Sequence, residues 1–225
     1  MRSRRSDKVQ TSSLSSADLY AGQKEYYRKS YESSPSLPWE KAFDSDWLKA
    51  TLAKLGSGKG KRALDIGAGK GRGSLILSAN GYKTVGMDYL FPPLTAAHDI
   101  CRVGRNRPSF VNADLFADPF RNLSFDLALD WGVFHHIQRK ETGDYLRALK
   151  RLLKPGGAFL LGCFSTSFRH TGEGDRKRNW LIHKGHYDRF STREELTRVF
   201  SPSFSIMSLA QTQPGFYHIS MKLRG

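Results

Sequence analysis

The sequence predicts an α/β protein: a doubly wound, mostly parallel seven-stranded sheet with helices on both faces and a C-terminal antiparallel strand pair. Three observations carry that prediction. Short β-type runs alternate with helical runs from Arg62 onward, the pattern of a parallel sheet covered on both faces. Each helical run closes on residues that terminate helices. The last two β-type runs are separated only by Gln213-Pro214-Gly215, a turn short enough for an antiparallel pair.

In order along the chain, residues 1–36 read as a polar, serine-rich, partly disordered extension that runs into a cover helix around Leu19 to Tyr31. Pro38 starts the globular part, so residues 37–225 form the main domain. Trp39, Phe43, Trp47, Leu48, Leu52 and Leu55 recur at helical spacing, and Gly56, Gly58 and Gly60 stop that helix. Strands are expected at Arg62 to Ile66, Lys83 to Asp88, Ser109 to Ala113, Phe125 to Asp130 and Ala158 to Cys163. Between them lie helices from Gly71 to Ala79, Pro93 to Val103 and Thr142 to Leu153, the last closed by Lys154-Pro155-Gly156-Gly157. A polar, basic stretch from Ser165 to Arg189 follows, and then Ser191 and Glu194 form a capping box for a helix to Phe200. Ser203 to Leu209 and Phe216 to Leu223 complete the seven strands.

At 225 residues the chain is long enough to bury a core without metals or disulfides. Cys101 and Cys163 lie far apart and outside any C-x-x-C pair, so neither a disulfide framework nor a metal site is indicated, and a reducing cytoplasm fits best. No apolar stretch is long enough to span a bilayer, and the Arg- and Ser-rich start lacks the apolar face of a targeting segment. The formal charge of +15 suits nucleic acid, an anionic surface or an acidic small molecule as a partner, and equally a solvated basic surface.

Chemistry enters at Ala63-Leu64-Asp65-Ile66-Gly67-Ala68-Gly69-Lys70-Gly71, a strand running into a glycine-rich turn and a helix. A Cβ there would keep a ligand from the backbone, and the helix start presents unpaired N–H groups. Asp88 closes the next strand, where a carboxylate can accept both ribose hydroxyls of a nucleoside. Dinucleotide dehydrogenases use a similar edge, but their G-x-G-x-x-G pattern requires glycine where this chain has Arg72.

The G-x-G-x-G spacing of Gly67, Gly69 and Gly71 resembles the first motif of class I S-adenosylmethionine-dependent methyltransferases, and the resemblance continues in order. Asn112-Ala113-Asp114-Leu115 is similar to the adenine-contacting acidic loop, Asp130-Trp131-Gly132-Val133-Phe134-His135-His136-Ile137 to the fourth-strand motif of the small-molecule branch, and Leu153-Lys154-Pro155-Gly156-Gly157 to the family's "LKPGG" signature. The closing strand pair matches the addition that separates these enzymes from dehydrogenases. The resemblance covers about residues 38 to 225. It implies S-adenosylmethionine as cofactor, with Asp65, Gly67, Ala68, Gly69 and Gly71 at its methionine end, Asp88 and Tyr89 at the ribose, Asp114 and Leu115 at the adenine, and Asp130 and Trp131 beside the sulfonium. Structural roles compete for several: Asp65 and Asp114 as caps, Trp131 and Phe134 as core.

The implied reaction is methyl transfer to a nucleophilic S, N, O or C atom of a small-molecule acceptor, with an RNA or protein methyltransferase using the basic surface as the alternative and a catalytically silent binding module as the third reading. The fourth strand is not followed by the D/N-P-P-aromatic loop of amino-methylating nucleic-acid enzymes, so nucleic acid is the less favoured acceptor. Where the acceptor must lose a proton, His135 and His136 are the candidate bases, since a histidine's ordinary pKa lies near working pH. Trp39, in a Leu37-Pro38-Trp39-Glu40 run similar to an element of thiopurine, thiol and halide methyltransferases, is a candidate substrate residue, with Phe134, Trp180 and Tyr187. Ser165 to Arg189 emerges at the carboxyl end of the sheet and is expected to roof the acceptor pocket, its basic residues favouring an acidic acceptor. Neither a monomer nor a dimer is indicated.

Overall fold

The computed structural model describes residues 15–34, 36–102, 106–169, 175–177, 179–213 and 215–225. The basic tail, the expected end of the Pro93 to Val103 helix, and parts of the polar stretch and final turn lie outside the described residues. Among the described residues, ten strands follow in chain order: β1 (Arg62–Ile66), β2 (Lys83–Asp88), β3 (Ser109–Asn112), β4 (Phe125–Trp131), β5 (Leu153–Phe164), β6 (Asp175–Arg176), β7 (Trp180–His183), β8 (His186–Arg189), β9 (Phe204–Gln213) and β10 (Phe216–Leu223). The helices are α1 (Ser16–Ser33), α2 (Pro38–Lys41), α3 (Ser45–Leu55), α4 (Arg72–Ala79), α5 (Phe91–Ile100), α6 (Thr142–Leu152) and α7 (Arg193–Phe200).

The expected seven strands form one sheet in the order β3-β2-β1-β4-β5-β10-β9. Pairing is parallel from β3 through β5, and β10 runs antiparallel to both β5 and β9. Side chains alternate across a strand, which divides the core in two. Leu64 and Ile66 of β1 and Phe159, Leu161 and Cys163 of β5 pack against Tyr145, Leu149 and Phe200 of α6 and α7. Ala63 and the β5 residues Ala158 and Leu160 face Leu48, Leu52 and Leu77 of α3 and α4. Burial on both faces is why these strands read as apolar runs.

The structure corrects several expectations. The helix expected from Trp39 to Leu55 is two helices, because the Asp44 carboxylate accepts the Trp47 N–H at 2.8 Å and starts α3 anew; a side-chain cap competes well with continuing a helix. The cap of α7 is Thr192, which accepts from the Glu195 N–H at 3.2 Å, one residue beyond the expected box; Ser191 instead bridges to Ser165. α5 begins at Phe91 and takes Pro92 and Pro93 into its first turn, where proline lacks no useful N–H. β5 starts at Leu153, so the Lys154 to Gly157 turn is an irregular start to the strand.

The largest difference lies in Ser165 to Arg189. Its described part folds back on itself as a three-stranded antiparallel sheet, β6-β7-β8. Lys184 and Gly185 link β7 to β8 with φ of 48° and 80°, the two positive values that a tight two-residue hairpin turn requires. α1 lies on this hairpin: a Cβ on Gly22 would stand 2.3 Å from the Gly185 carbonyl oxygen, so glycine is what permits the approach. No described helix is long and apolar enough to cross a membrane.

Candidate active site

The carboxyl ends of β1, β2, β4 and β5 open into a cavity of about 630 Å³, roofed by α1 and the β7-β8 hairpin. Open α/β sheets place ligands at this end.

One wall is the glycine turn and the acids that follow. Gly67 has φ of 69°, and a Cβ there would meet Val133 at 2.3 Å. Asp88 ends β2 with one carboxylate oxygen accepting the Gly69 N–H at 3.0 Å and the other the Leu90 N–H at 2.9 Å. Burial pushes its carboxyl up to about 6 against those bonds. Asp114 caps the short 3-10 turn of Leu115–Ala117 by accepting from the Phe116 N–H. Its other oxygen is held from α1 by the Tyr20 hydroxyl at 2.6 Å and the Lys24 ammonium at 3.3 Å.

The opposite wall is aromatic. Tyr26, Tyr27, Tyr31, Trp39, Phe164 and Phe168 line it, with Trp131 at its border with the first wall. Trp39 donates its indole N–H to the Tyr31 hydroxyl at 3.2 Å and meets Tyr27 edge-on. Trp131 stacks on Phe216 and packs against His218.

Of the residues singled out from the sequence, Gly67, Asp88, Tyr89, Asp114, Leu115, Trp131, Trp39, His135 and His136 line the cavity. Ala68 and Gly69 are bound to β2, through the Met87 carbonyl and the Asp88 carboxylate. Gly71 caps α4 behind them. Asp65 faces α4 and accepts from the Ser74 hydroxyl at 2.7 Å, and burial pushes its carboxyl up to about 7. Asp130 is fully buried and ties down the segment after β4 by accepting from the Val133 and Phe134 N–H groups and the Tyr145 hydroxyl. Phe134 is core, against Tyr145, Phe200 and the Arg189 guanidinium. Trp180 and Tyr187 stack on each other away from the cavity; Trp180 joins Leu19, Ile182 and Tyr187 in a cluster that seats α1 on the hairpin.

The two histidines have different surroundings. His135 is 4 % exposed and stacks on Phe164 with ring centres 3.6 Å apart. Burial holds its pKa well below the ordinary range, so the ring stays neutral. His136 instead meets Tyr27 of α1, Oη to Nε2, at 2.6 Å. Its Nδ1 lies 2.8 Å from the Asp188 carboxylate and 3.3 Å from the Tyr187 carbonyl. Burial raises the Asp188 carboxyl, but the close approach of His136 and His186 outweighs it and holds it well below the usual carboxylate range.

Sequence reasoning placed His183, His186 and Asp188 only within the stretch expected to roof the acceptor pocket, and missed the α1 tyrosines as cavity residues. Only the aromatic content of Tyr20, Tyr26, Tyr27 and Tyr31 in a polar segment could have signalled them; a tail that merely solvates itself has no use for four tyrosines.

Residues 64–161 match the family described as "Methyltransferase domain". A demethylmenaquinone methyltransferase of Clavibacter sepedonicus is 32% identical over 130 residues, 55% of this chain and 49% of that protein. One of Staphylococcus aureus (strain MRSA252) is 30% identical over 131 residues, 54% and 49% respectively. The chain thus spans about half the length of the curated relatives it matches. Among solved structures, the Burkholderia thailandensis 1,6-didemethyltoxoflavin-N1-methyltransferase with bound 1,6-didemethyltoxoflavin and S-adenosylhomocysteine superposes with a TM-score of 0.73 at 21% identity, over 94% of this chain and 92% of that one. The magnesium protoporphyrin IX methyltransferase of Synechocystis PCC 6803 with bound SAM gives 0.60 at 18% identity, over 93% and 83%. These two likenesses show the shared fold.

Proposed function

We propose, from the premise that the chain carries a class I S-adenosylmethionine-dependent methyltransferase domain, that it transfers a methyl group to a small, flat, aromatic acceptor bearing an ionisable N–H, O–H or S–H. One observation carries this reading: a single cavity of about 630 Å³ joins the Asp88 and Asp114 edge to an aromatic chamber containing His136. That volume lies within the range of small-molecule sites, roughly 300–1,000 Å³.

The residues fit the cofactor. Each oxygen of Asp88 spends one lone pair on a backbone N–H and retains another for a ribose hydroxyl. Gly67 offers bare backbone below, and Asp114 stands where an adenine amino group would donate, sharing that carboxylate with Tyr20 and Lys24. Bound there, the cofactor supplies an electrophilic methyl on a sulfonium. Trp131 offers an aromatic surface beside it, worth roughly 0.5–2 kcal/mol of cation-π attraction. α1 and the hairpin exclude water, and the aromatic walls orient a planar acceptor, which is where most of the rate enhancement of an in-line displacement arises. The proton that the acceptor gives up is taken into the cavity wall and neutralised at His136 Nε2. Arg169 and Lys184 on the cavity wall favour an acceptor with acidic character. The relatives are named for small-molecule acceptors, which supports the same class; the roof over the cavity disfavours a macromolecular one.

Calorimetry with S-adenosylmethionine, S-adenosylhomocysteine and NAD(P) tests the cofactor: preference for NAD(P) overturns the reading. Transfer of labelled methyl into cell-extract fractions tests the acceptor. Labelling is expected to survive nuclease and protease treatment; its loss with nuclease would establish RNA as the acceptor instead.

A further inference from the structure

We propose that Tyr27, His136 and Asp188 form a proton relay in which Tyr27 is the group that takes the acceptor's proton, His136 receives the relayed proton at Nε2, and Asp188 is the positioning residue whose charge holds the ring and its cation in place. This rests on the methyl-transfer reading of the cavity. The three side chains come from three separate elements, α1, the segment after β4, and β8, and are joined by contacts of 2.6 and 2.8 Å.

The donor pattern follows from elimination. Both neighbours of His136 Nδ1, the ionised Asp188 carboxylate and the Tyr187 carbonyl, can only accept. Either one requires the proton on Nδ1. In the neutral ring Nε2 then carries a lone pair, so the Tyr27 hydroxyl must donate to it. Asp188 is 3 % exposed at its side chain and lies 3.4 Å from His186 Nε2 through its second oxygen; His186 in turn stacks on Tyr26 of α1 at 4.1 Å. His135 and the buried Asp130 are the other ionisable groups that face His136. None of these supplies an alternative partner for Nε2.

Tyr27 and His136 both line the cavity, and the Nε2 lone pair is already taken by the Tyr27 hydroxyl, so a proton from the acceptor comes to Nε2 through that hydroxyl. In the reaction, the acceptor's X–H bond breaks and its proton passes to Tyr27 Oη as the Tyr27 proton moves to His136 Nε2. The freed electron pair of X forms the bond to the methyl carbon, and the carbon–sulfur bond releases its pair to sulfur. Tyr27 ends neutral, and the imidazolium ends beside the Asp188 carboxylate, which offsets its charge until solvent takes the proton. A carboxylate so placed both orients the ring and stabilises its cation, the logic of a hydrolytic triad with the proton donor changed.

The test reads the tautomer directly. Nitrogen-15 spectra of the full chain, at a pH where the ring is neutral, should show His136 protonated at Nδ1 and bare at Nε2. Asp188→Asn leaves the Tyr187 carbonyl to hold Nδ1–H, so the tautomer should stay, but the charge that offsets the imidazolium is lost; labelled-methyl transfer should fall about tenfold or more at an unchanged KM for the acceptor while the affinity for S-adenosylmethionine holds. Tyr27→Phe should keep the Nδ1–H form and lower transfer similarly. An Nε2–H ring in the unmodified chain overturns the relay even if Asp188→Asn fails to fold, as does full transfer by a folded Asp188→Asn. Failure to bind S-adenosylmethionine, by contrast, overturns the methyl-transfer reading on which the relay rests, whatever the tautomer.

Discussion

The two walls of the cavity are built differently. The cofactor wall is made of adjacent strand ends, β1, β2 and β4, with Asp88 paired to Asn112 of β3 and Trp131 to Gly162 of β5. The acceptor wall is assembled from parts remote in the chain: α1, the His135-His136 turn and the β7-β8 hairpin, joined by side chains such as Tyr27, His136 and Asp188 and by the contact of Gly22 with Gly185. A wall inherited from the sheet is as stable as the core. A wall made by docking a helix on a hairpin opens at lower cost, which suits the side through which ligands must enter.

If that contrast holds, the largest effect should come from the acceptor wall. Replacing residues 171–184 with a short glycine-serine linker removes β7, leaves β8 without its partner and Asp188 without support. Methyl transfer is expected to fall by about 10²-fold or more, the cost of misplacing reacting groups by about an ångström, with cofactor affinity by calorimetry nearly intact. Full transfer by the shortened chain would mean that α1 and Trp39 hold the acceptor alone.

His136→Gln sharpens the same side: turnover should drop about 10²-fold, whereas His135→Gln, at a ring kept neutral by burial, should cost much less. Equal losses, or none, would return both rings to packing roles. Asp88→Ala probes the opposite wall and should weaken S-adenosylmethionine by roughly 1–3 kcal/mol, the consequence of leaving ribose hydroxyls without a charged partner. Unchanged affinity in a titration would place the ribose elsewhere.

The last expected effect leaves both walls in place and concerns stability alone. Burial raises the Asp65 carboxyl from an ordinary 3.8 to about 7, so the folded chain keeps a proton that the unfolded chain releases. Its contribution is full below about pH 4 and is lost as pH rises through about 7. Asp65→Asn keeps an acceptor for Ser74 and should flatten the decline in denaturant midpoint between pH 4 and 7, on the order of a few kcal/mol across that range. An unaltered slope would assign the pH dependence to Asp88 and Asp130, whose carboxyls are raised in the same direction.

Residue type and spacing along the chain determined the seven strands, the antiparallel ending and the acids at the ends of β2 and β3, because a parallel sheet is built from local units whose strand, turn and helix are contiguous. Asp65, Asp130 and Phe134 show where that legibility stops: spacing places them at the site, and only packing turns Asp65 toward Ser74, Asp130 toward the Val133 and Phe134 N–H groups and Phe134 into the core. The acceptor wall was decided by tertiary structure throughout. Tyr27 and His136 are 109 residues apart, and Asp188 sits in a stretch that reads as a basic roof with nothing to single out this acid, yet its side chain is nearly inaccessible. A polar residue in water and one in a buried relay have the same local sequence signature. What separates them is whether another part of the chain arrives to accept or donate the hydrogen bond, and that is a property of the folded whole.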